Sequence, residues 1–403
     1  MQLVAYGAQD IYLTGNPQIT FFKVVYRRHT NFSMETISQT VNGNSSNLGG
    51  GSSTVTISRN GDLVHKVYVN FKTASKGNFL SSLDQVELEI GGQRIDRHSG
   101  QWLATWLDLS TPAGRAYEVS TLIGDAGTND QSSSTPGIGS PDGKVNVAQL
   151  PLQFWFCRNP GLALPLIALQ YHEVKLKFEW KGKDAEGKSD FDVLCDYIYL
   201  DTDERRRFAQ VSHEYLIEQV QEQTEGVDAG KSANLRLNFN HPVKELIWSF
   251  GTAAGTNALM GATTTNPTGS AGSPPTARLQ LNGHDRFADM PMEYFGLRQC
   301  IDYHSAVPGP NLGQTIEGGY LSGSDGDNSG SVCSDFKNPV FVYSFALKPE
   351  EHQPSGTCNF SRIDNAKLIC SHTGDDSDTC KIFAVNYNVL RIMSGMGGLA
   401  YSN

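Results

Sequence analysis

Two short stretches of the chain carry the same pattern of apolar and polar positions. Residues 86–90, Val-Glu-Leu-Glu-Ile, alternate between apolar and charged side chains, which is typical of a strand with one buried and one solvated face. The Gly-Gly pair at 91–92 can supply the positive φ angles of a two-residue hairpin turn. Residues 279–281, Leu-Gln-Leu, alternate in the same way and are followed by Asn-Gly at 282–283, a strong hairpin signal. The chain therefore contains one hairpin pattern twice.

Short strands are predicted along most of the chain, separated by clusters of Gly, Asn and Ser. In the first half they cover residues 34–41, 53–59, 63–73, 83–90, 93–97, 149–157, 171–180 and 193–200. In the second half they cover residues 213–222, 234–240, 243–250, 277–282, 284–287, 339–347, 358–370 and 381–392. Only residues 100–110, which contain two tryptophans and three leucines, have helical spacing.

The two series of strands match position by position. The matched residues are Val55 with Leu235, Gly92 with Gly283, Val174 and Leu176 with Ala366 and Leu368, and Tyr197 and Leu200 with Tyr387 and Leu390. The two members of the first pair are 180 positions apart (235 − 55), and those of the later pairs are about 190 positions apart. One insertion between otherwise parallel halves would produce this change. This spacing indicates a duplicated domain, because solenoid repeats have periods of 20 to 50 residues.

We therefore predict an all-β fold of two tandem eight-stranded antiparallel jelly rolls, a double jelly roll with one short helix and long surface loops. The predicted domains are an N-terminal arm at 1–31, a first jelly roll at 32–211 and a second at 212–403. The long loops, rich in Gly, Ser, Thr, Asp and Pro, are residues 111–148, 251–276 and 305–338. Loops of this length in a compact domain are usually functional or mobile.

Composition narrows the function. The formal net charge of −10 argues against a protein that binds nucleic acid directly, so we expect no direct nucleic-acid binding. The seven cysteines are odd in number and contain no Cys-x-x-Cys pair, which favours reduced thiols over a disulfide framework or zinc site. The N-terminus lacks the basic region of a signal peptide, and the longest apolar run, 161–169, is too short to span a bilayer. We expect synthesis in the cytosol without membrane crossing.

Catalytic and metal motifs are incomplete in this sequence. His172-Glu173 and His213-Glu214 begin like a zinc-protease motif, but neither has a histidine four residues further on. The acidic loop 325–330 imitates the start of a calcium loop and lacks the acidic residue at its twelfth position. We predict no catalytic, cofactor-binding or metal-binding residues, and hence no enzyme and no cofactor.

Two basic clusters and three sequons remain. The cluster Arg205–Arg207 lies where the halves join, where we expect ion pairs with Asp201, Asp203 and Glu204. Lys23, Arg27 and Arg28 of the arm could contact anionic lipid or nucleic acid only weakly. The Asn-x-Ser sequons, which carry little weight in a cytosolic protein, are at Asn31, Asn44 and Asn359, and Asn44 in its Gly/Ser-rich loop is the favoured glycosylation candidate.

Long segments of the sequence carry a family resemblance. They are Gln2–Phe32, Ile57–Leu63, Val86–Asp96, Pro160–Phe178, Phe208–Gln219, Leu235–Pro242, Pro354–Ala366 and Asn386–Tyr401. Together they resemble the major capsid proteins of large icosahedral double-stranded DNA viruses (nucleocytoplasmic large DNA viruses), most closely those of phycodnaviruses. The three long loops and the short acidic stretch 371–380 do not share the resemblance.

The resemblance implies a structural protein of the virion capsid. It implies a homotrimer of pseudo-hexagonal outline that tiles an icosahedral shell around an internal membrane and contacts neighbouring capsomers and minor capsid proteins. The N-terminal arm would face inwards, towards minor proteins or the membrane, and the long loops outwards. Synthesis and assembly would take place in the host cytoplasm. Family members are often glycosylated, also outside sequons, so the three asparagines stay candidates.

Two alternatives remain open from the sequence. A glycan-binding or spike-like virion protein on the same fold would need an exposed aromatic platform in its loops, but Tyr117 is the only aromatic residue of 111–148 and 251–276. A cupin-like enzyme would need a bound metal.

Overall fold

The computed structural model of the chain describes residues 12, 16, 29–45, 50–72, 74–75, 79–123, 144–145, 148–181, 190–228, 232–251, 276–308, 315–317, 320–322, 340–370 and 378–401. Most of the predicted N-terminal arm, with its basic group, and most of the three long loops lie outside these residues. Among the described residues, no helix is long and apolar enough to cross a membrane.

Short strands dominate both halves, as their alternating patterns predict. Those of the first half are β1 (Phe32–Gln39), β2 (Val41–Gly43), β3 (Gly51–Thr56), β4 (Leu63–Phe71), β5 (Ala74–Ser75), β6 (Leu83–Ile90), β7 (Gln93–Ser99), β8 (Lys144–Val145), β9 (Ala148–Pro151), β10 (Leu164–Pro165), β11 (Val174–Trp180) and β12 (Phe191–Leu200). Those of the second half are β13 (His213–Val227), β14 (Ala233–Leu237), β15 (Pro242–Gly251), β16 (Thr276–Leu281), β17 (His284–Asp285), β18 (Met290–Pro291), β19 (Thr315–Glu317), β20 (Tyr320–Ser322), β21 (Val340–Ser344), β22 (Cys358–Asn359), β23 (Ala366–Cys370), β24 (Asp378–Met393) and β25 (Met396–Leu399).

Helices occupy the connections. The α-helices are α1 (Phe79–Ser82), α2 (Gly100–Ser110), α3 (Ala116–Leu122), α4 (Trp155–Arg158), α5 (Thr202–Gln210) and α6 (Gln299–Tyr303). A π-helical turn, Tyr294–Arg298, leads directly into α6, and 3-10 turns lie at Ala113–Arg115, Pro160–Leu162 and Phe360–Arg362.

Each half is built on two large antiparallel sheets, and the short pairs β5-β8 and β19-β20 form separate two-stranded sheets. Sheet 1 has the order β1-β12-β4-β10, with β9 also on β4, and sheet 2 has the order β2-β3-β11-β6-β7. Sheet 3 has the order β13-β24-β15-β21, with β22 on β15 and β25 on β24, and sheet 4 has the order β14-β23-β16-β17, with β18 on β16. The main strands of sheets 1 and 2 have counterparts at the same places in sheets 3 and 4. Two facing antiparallel layers, of five strands each in the first half and of six and five in the second, confirm the predicted double jelly roll, with a few short strands beyond the eight predicted for each half.

The duplication extends to the hydrogen-bonding register. The equivalent rungs are Val55–Leu176–Leu88 in sheet 2 and Leu235–Leu368–Leu279 in sheet 4. Their offsets are 180, 192 and 191 (235 − 55, 368 − 176 and 279 − 88). Because one step of slip would turn every side chain to the other face, an identical register means that the two halves bury the same positions.

The two hairpins that mark the duplication are confirmed. Gly91 and Gly92 have φ angles of 60° and 85°, and Asn282 and Gly283 have φ angles of 51° and 80°. Two consecutive residues with positive φ form the type I′ turn, whose twist matches that of the flanking strands.

A side-chain contact repeats as well, although the sequence did not point to it. Gln39 Oε1 accepts a hydrogen bond from Ser58 N at 2.9 Å, and Gln223 Oε1 accepts one from Asn238 N at 2.9 Å. Both glutamines lie on the edge strand of a sheet, β1 or β13, and both donors follow the first long strand of the facing sheet, β3 or β14. The contact links the two layers of each half.

The pairings of Tyr197 with Tyr387 and of Leu200 with Leu390 are each wrong by one residue. Tyr197 lies opposite Val64, and the same place in sheet 3 is held by Asn386, opposite Val243. The offset in this sheet is therefore 189 (386 − 197). Since neighbouring residues of a strand point to opposite faces, the two tyrosines share a residue type and not an environment.

The chain contains more helix than the predicted single one. Helix α2 is confirmed, and Ser99 caps it by accepting a hydrogen bond from Trp102 N at 3.2 Å. Helix α5 was missed because it buries none of its residues and so has no apolar stripe. The helical stretch 294–303 was missed too, and the strand predicted at 149–157 ends at Pro151, before α4.

Sheets 1 and 2 use strands only up to residue 200, and sheets 3 and 4 use strands only from residue 213. Helix α5 lies between them. The predicted boundary between residues 211 and 212 follows this helix and stays a prediction.

Candidate functional site

The three sequon asparagines lie on separate elements. Asn31 is exposed and directly precedes β1. Asn44 is half-buried after β2, and its Nδ2 donates to Gly50 O at 3.4 Å. Asn359 is exposed on β22, and its Oδ1 accepts from Ser361 N at 3.1 Å. Of the three, Asn31 and Asn359 are the more exposed, which differs from the preference for Asn44. Glycosylation stays a prediction for all of them.

The two His-Glu pairs are not on helices. His172 precedes β11, with Nδ1 3.0 Å from Gly397 O, and His213 begins β13, with Nε2 2.8 Å from Phe208 O. Within the described ranges, no cluster of three or more His, Cys, Asp or Glu residues could hold a metal ion. The acidic loop 325–330 lies outside those ranges.

The cysteines are free thiols, as predicted, in the part of the chain that the structure describes. Five of the six are buried and Cys358 is half-buried, whereas Cys333 lies outside that part. Burial raises the pKa of Cys157 and Cys370 to about 12, so both stay protonated at neutral pH. Protonated, buried thiols behave as small apolar side chains.

The arginine cluster at the join of the halves makes a different contact from the one expected. Arg205 Nη2 lies 3.0 Å from Asp62 Oδ2, in the turn before β4, rather than from its sequence neighbours. Asp201 instead caps α5, accepting from Thr202 N at 2.8 Å.

The two halves meet where α2 of the first half lies against the outer face of sheet 3. The ring centroid of Trp102 is 5.3 Å from that of Phe383 and 5.5 Å from that of Trp106. Gln101 Nε2 donates to Ser249 Oγ of β15 at 3.0 Å. The buried apolar residues of sheet 3 that join the cluster of the tryptophans are Ile217, Ile247, Val340, Val342, Phe383, Val385, Leu390 and Ile392. One apolar core therefore runs from the first half into the second.

Strand β7 of the first half covers the edge strand β13 of the second. Gln219 Nε2 donates to Ile95 O, and Val220 N donates to Asp96 Oδ1 at 3.2 Å. The other oxygen of Asp96 lies 2.9 Å from His98 Nε2, and both side chains are buried. Since an uncovered edge strand is a template for pairing with another chain, this contact closes one edge of sheet 3.

A buried ionic cluster lies in the same contact. Glu218 Oε2 lies 2.8 Å from Arg158 Nη2, and Glu218 Oε1 lies 2.7 Å from Lys244 Nζ. Lys244 Nζ also donates a hydrogen bond to Pro349 O at 2.7 Å. Burial raises the pKa of Glu218, but Arg158, then His352 and Lys244, outweigh it and lower the pKa to about 2. Burial lowers the pKa of Lys244, yet two acceptors at 2.7 Å support the charged ammonium. The ion pair between Arg158 of the first half and Glu218 of the second therefore links the two halves.

A second ionic cluster lies at the end of α6. His304 Nε2 is 3.0 Å from Glu245 Oε2, outside hydrogen-bond alignment, and Nδ1 is 3.0 Å from Glu350 Oε1. Burial lowers the pKa of His304, but Glu245 and then Glu350 outweigh it and raise the pKa to about 9. His304 is therefore an imidazolium at neutral pH. Its ring also packs edge-on to Trp106, at 6.4 Å between centroids.

These ionic groups were not predicted from the sequence. Lys244-Glu245, two charges inside the otherwise apolar strand predicted at 243–250, was the one local signal. Fully buried charges are rare unless they are paired, so such a pair points to partners elsewhere. The partners Arg158 and His304 are distant in sequence and carried no signal.

The contact between the halves is heterologous, because helices and β7 of the first half meet a sheet face and edge of the second. It is a packing surface between two copies of one fold.

Comparison with known proteins agrees with this architecture. The family model described as "Major capsid protein N-terminus" matches residues 20–201, and the model "Large eukaryotic DNA virus major capsid protein" matches residues 204–313 and 336–398. The major capsid protein of Pyramimonas orientalis virus is 51% identical over 417 aligned residues, which cover 100% of this chain and 99% of the relative.

The chain belongs to the family of large eukaryotic DNA virus major capsid proteins.

Two solved structures share the fold. A chain of the PBCV-1 virus capsid quasi-atomic model superimposes with a TM-score of 0.74 at 37% identity, covering 95% of this chain and 100% of that one. The Faustovirus major capsid protein has a TM-score of 0.65 at 13% identity, covering 96% of this chain and 94% of that one, and supports the fold alone. The resemblance found in the sequence is confirmed, and the role of the protein is that of a structural capsid protein.

Proposed function

We propose that the protein forms a closed homotrimer of pseudo-hexagonal outline, and that these trimers tile the shell of an icosahedral virion around an internal membrane. Two jelly rolls in each of three chains provide six similar units, which suits near-sixfold packing. In this proposal the protein is a building block and not an enzyme, and it binds neither a cofactor nor nucleic acid.

The heterologous contact between the halves is the observation that carries the proposal. In a heterologous contact the two like units use different surfaces, so each unit keeps one complementary surface free. If further units bind through these free surfaces, the assembly either closes into a ring or grows as a filament. The duplicated jelly rolls make this contact once within the chain. A ring of three chains would use it again between chains, and so would leave neither surface exposed.

The likeness to a chain of the PBCV-1 capsid supports a place in a virion shell. We further propose contacts with neighbouring capsomers and minor capsid proteins, an arm at 1–31 that faces minor proteins or the membrane, and synthesis and assembly in the host cytoplasm. In the described part of the chain no observation favours the glycan-binding alternative, whose platform would lie in loops mostly beyond that part.

Native mass spectrometry and sedimentation velocity of the purified chain test the trimer. The expected mass at micromolar concentration is about 132 kDa, three times the chain mass of 44.0 kDa. A folded monomer of 44.0 kDa at that concentration would contradict the proposal.

A further inference from the structure

The strand pairings define one end of the molecule. β1 begins at Phe32, opposite Leu200 at the end of β12, and β13 begins at His213, opposite Ile392 near the end of β24. Helix α5 joins β12 to β13 at this same end. Since the N-terminal arm leads into β1, this is also the end at which the arm enters the fold, and we refer to it as the arm end.

A cluster of exposed apolar side chains lies at the arm end. Met393 and Met396 pair across the tight turn between β24 and β25, and each is 51% exposed. The ring of Tyr171, which is 75% exposed, lies against this turn, because a Cβ on Gly395 would be 2.7 Å from Cδ2 of the ring. Val211, also exposed, lies just before β13, which begins beside the same turn. Tyr171, Val211, Met393 and Met396 form the turn patch.

Hydrogen bonds hold the turn patch in place. Arg59 donates from Nη1 to Gln170 O at 2.7 Å and from Nη2 to Leu169 O at 2.6 Å. Tyr171 N donates to Gly395 O at 3.0 Å, which ties the loop before β11 to the β24–β25 turn. Single exposed apolar residues are normal on a protein surface, whereas a fixed apolar cluster is typical of a binding site.

The N-terminal arm has the composition and the length to cover this patch. Residues 19–26, Ile-Thr-Phe-Phe-Lys-Val-Val-Tyr, contain six apolar or aromatic side chains, whose burial is favourable. When extended, residues 19–31 span at most about 43 Å. Helix α5, which separates the start of β13 from the end of β12, has nine residues and rises only about 14 Å. The arm can therefore reach from β1 to the turn patch.

Charges beside the start of β1 match those of the arm. Asp203 and Glu204 lie in the first turn of α5, just after the end of β12 that pairs with the start of β1. Neither carboxylate forms an ion pair within the described residues, where Arg205 of the same helix pairs with Asp62. The arm carries two arginines at 27–28, four and five residues before β1. Opposite charges at this point would direct the arm along α5 towards the turn patch.

We propose that residues 19–26 of the N-terminal arm cover the turn patch of the same chain, with Arg27 and Arg28 beside the two carboxylates of α5. The arm and the patch then remove apolar surface from water together, and the flexible methionine side chains adapt to the shape of the arm. The contact lies within one chain, so it goes beyond the proposed trimer and does not depend on it. Residues 1–18 are left for the proposed contacts with minor proteins or the membrane.

Oxidation of methionine by hydrogen peroxide, followed peptide by peptide with mass spectrometry, tests the cover. Met393 and Met396 should oxidise at least about tenfold more slowly in the full chain than in a chain without residues 1–26, because burial of one large apolar side chain favours the covered state by that factor or more. Met34 is the matched control, since it is also 51% exposed but lies on β1, outside the turn patch. Its rate should be the same in both chains.

Substitutions in the full chain test the two parts of the contact separately. Phe22→Asp should raise the oxidation rates of both patch methionines to those of the truncated chain, whereas Gln18→Asp, just outside the covering stretch, should leave them unchanged. Arg28→Asp and Asp203→Arg should each raise these rates by up to about fivefold, as for an exposed ion pair, and the double variant should restore the slow rates. Circular dichroism checks that each variant is folded. Additive effects in the double variant would overturn the pairing of the arginine with α5.

A cysteine pair, Phe22→Cys with Met396→Cys, identifies the chain that supplies the arm. A disulfide between them should leave the denatured, non-reduced chain at its monomer mass of 44.0 kDa. A cross-linked dimer would overturn the proposal in favour of the arm of a second copy. Equal methionine oxidation in the full and truncated chains would overturn the cover, and slow oxidation found only with added phosphatidylcholine–phosphatidylserine vesicles would assign the patch to a lipid surface. A monomeric wild-type chain would instead overturn the proposed trimer and not this contact.

Discussion

The stability of the chain should fall as the pH rises from about 6.5 to 9, because His304 is held as a buried cation between two carboxylates. Its pKa is raised from the ordinary value of 6.5 to about 9, by Glu245 and Glu350 against the opposing effect of burial. A group whose pKa is higher in the folded chain stabilises fully below its unfolded pKa, and that stabilisation is lost as the pH rises through the folded pKa.

The magnitude follows from the two pKa values. Each factor of ten in proton affinity is worth about 1.4 kcal/mol, so a rise from 6.5 to about 9 corresponds to about 3 kcal/mol. Because His304 and Glu245 are both fully buried, solvent screening reduces this figure little. His304→Gln removes the cation and leaves the Glu245 carboxylate buried without its partner.

Urea unfolding at one fixed protein concentration, from pH 6 to 10, measures the effect for the wild type and for His304→Gln. The difference in unfolding free energy should be largest near pH 6 and should shrink by about 3 kcal/mol by pH 9.5. His284→Gln, at an exposed histidine, is the control and should differ little from the wild type at any pH. A difference between wild type and His304→Gln that does not change with pH would refute a buried imidazolium.

Three further substitutions test the seam and the hairpin. Trp102→Ala should cost about 3–5 kcal/mol in urea unfolding, because the ring is buried between the halves, and a cost below about 1 kcal/mol would contradict that packing. Glu218→Gln should lower the free energy of unfolding by about 3–5 kcal/mol at pH 7. Because the pKa of Glu218 is lowered to about 2 in the folded chain, this loss should shrink as the pH drops from 4.5 towards 2. A loss that does not change with pH in this range would count against the ionic cluster. Gly91→Ala should lower the free energy of unfolding by more than the roughly 1 kcal/mol expected for Gly92→Ala, measured by urea unfolding in the same way. Both glycines have positive φ, but only a Cβ at Gly91 would meet the His172 ring. Equal losses for the two variants would argue against that close approach.

Where a strand has one buried and one exposed face, the sequence was sufficient to predict it. The segment 83–90 matches β6 at both ends, and its hairpin and the one at 282–283 form the predicted turns. The pattern failed where burial does not alternate. Helix α5 is polar all round, and the predicted strand 358–370 is interrupted by the 3-10 turn Phe360–Arg362.

The contact between the halves was harder to predict, because it depends on residues that only the fold brings together. Arg158 and Glu218 are 60 positions apart (218 − 158) and meet at 2.8 Å. The tryptophans of α2 were predicted to lie on a helix, but their periodicity cannot say which surface they bury. The duplication could be found from the sequence, and the identity of the family came from long matching segments rather than from any local chemistry.

A three-dimensional reconstruction of the purified assembly by electron cryomicroscopy would show directly how many chains it contains and how their jelly rolls are arranged. From the proposed trimer we expect a ring of six similar lobes, two from each of three chains. A ring with another number of chains, or an assembly that is not a closed ring, would contradict the proposed trimer.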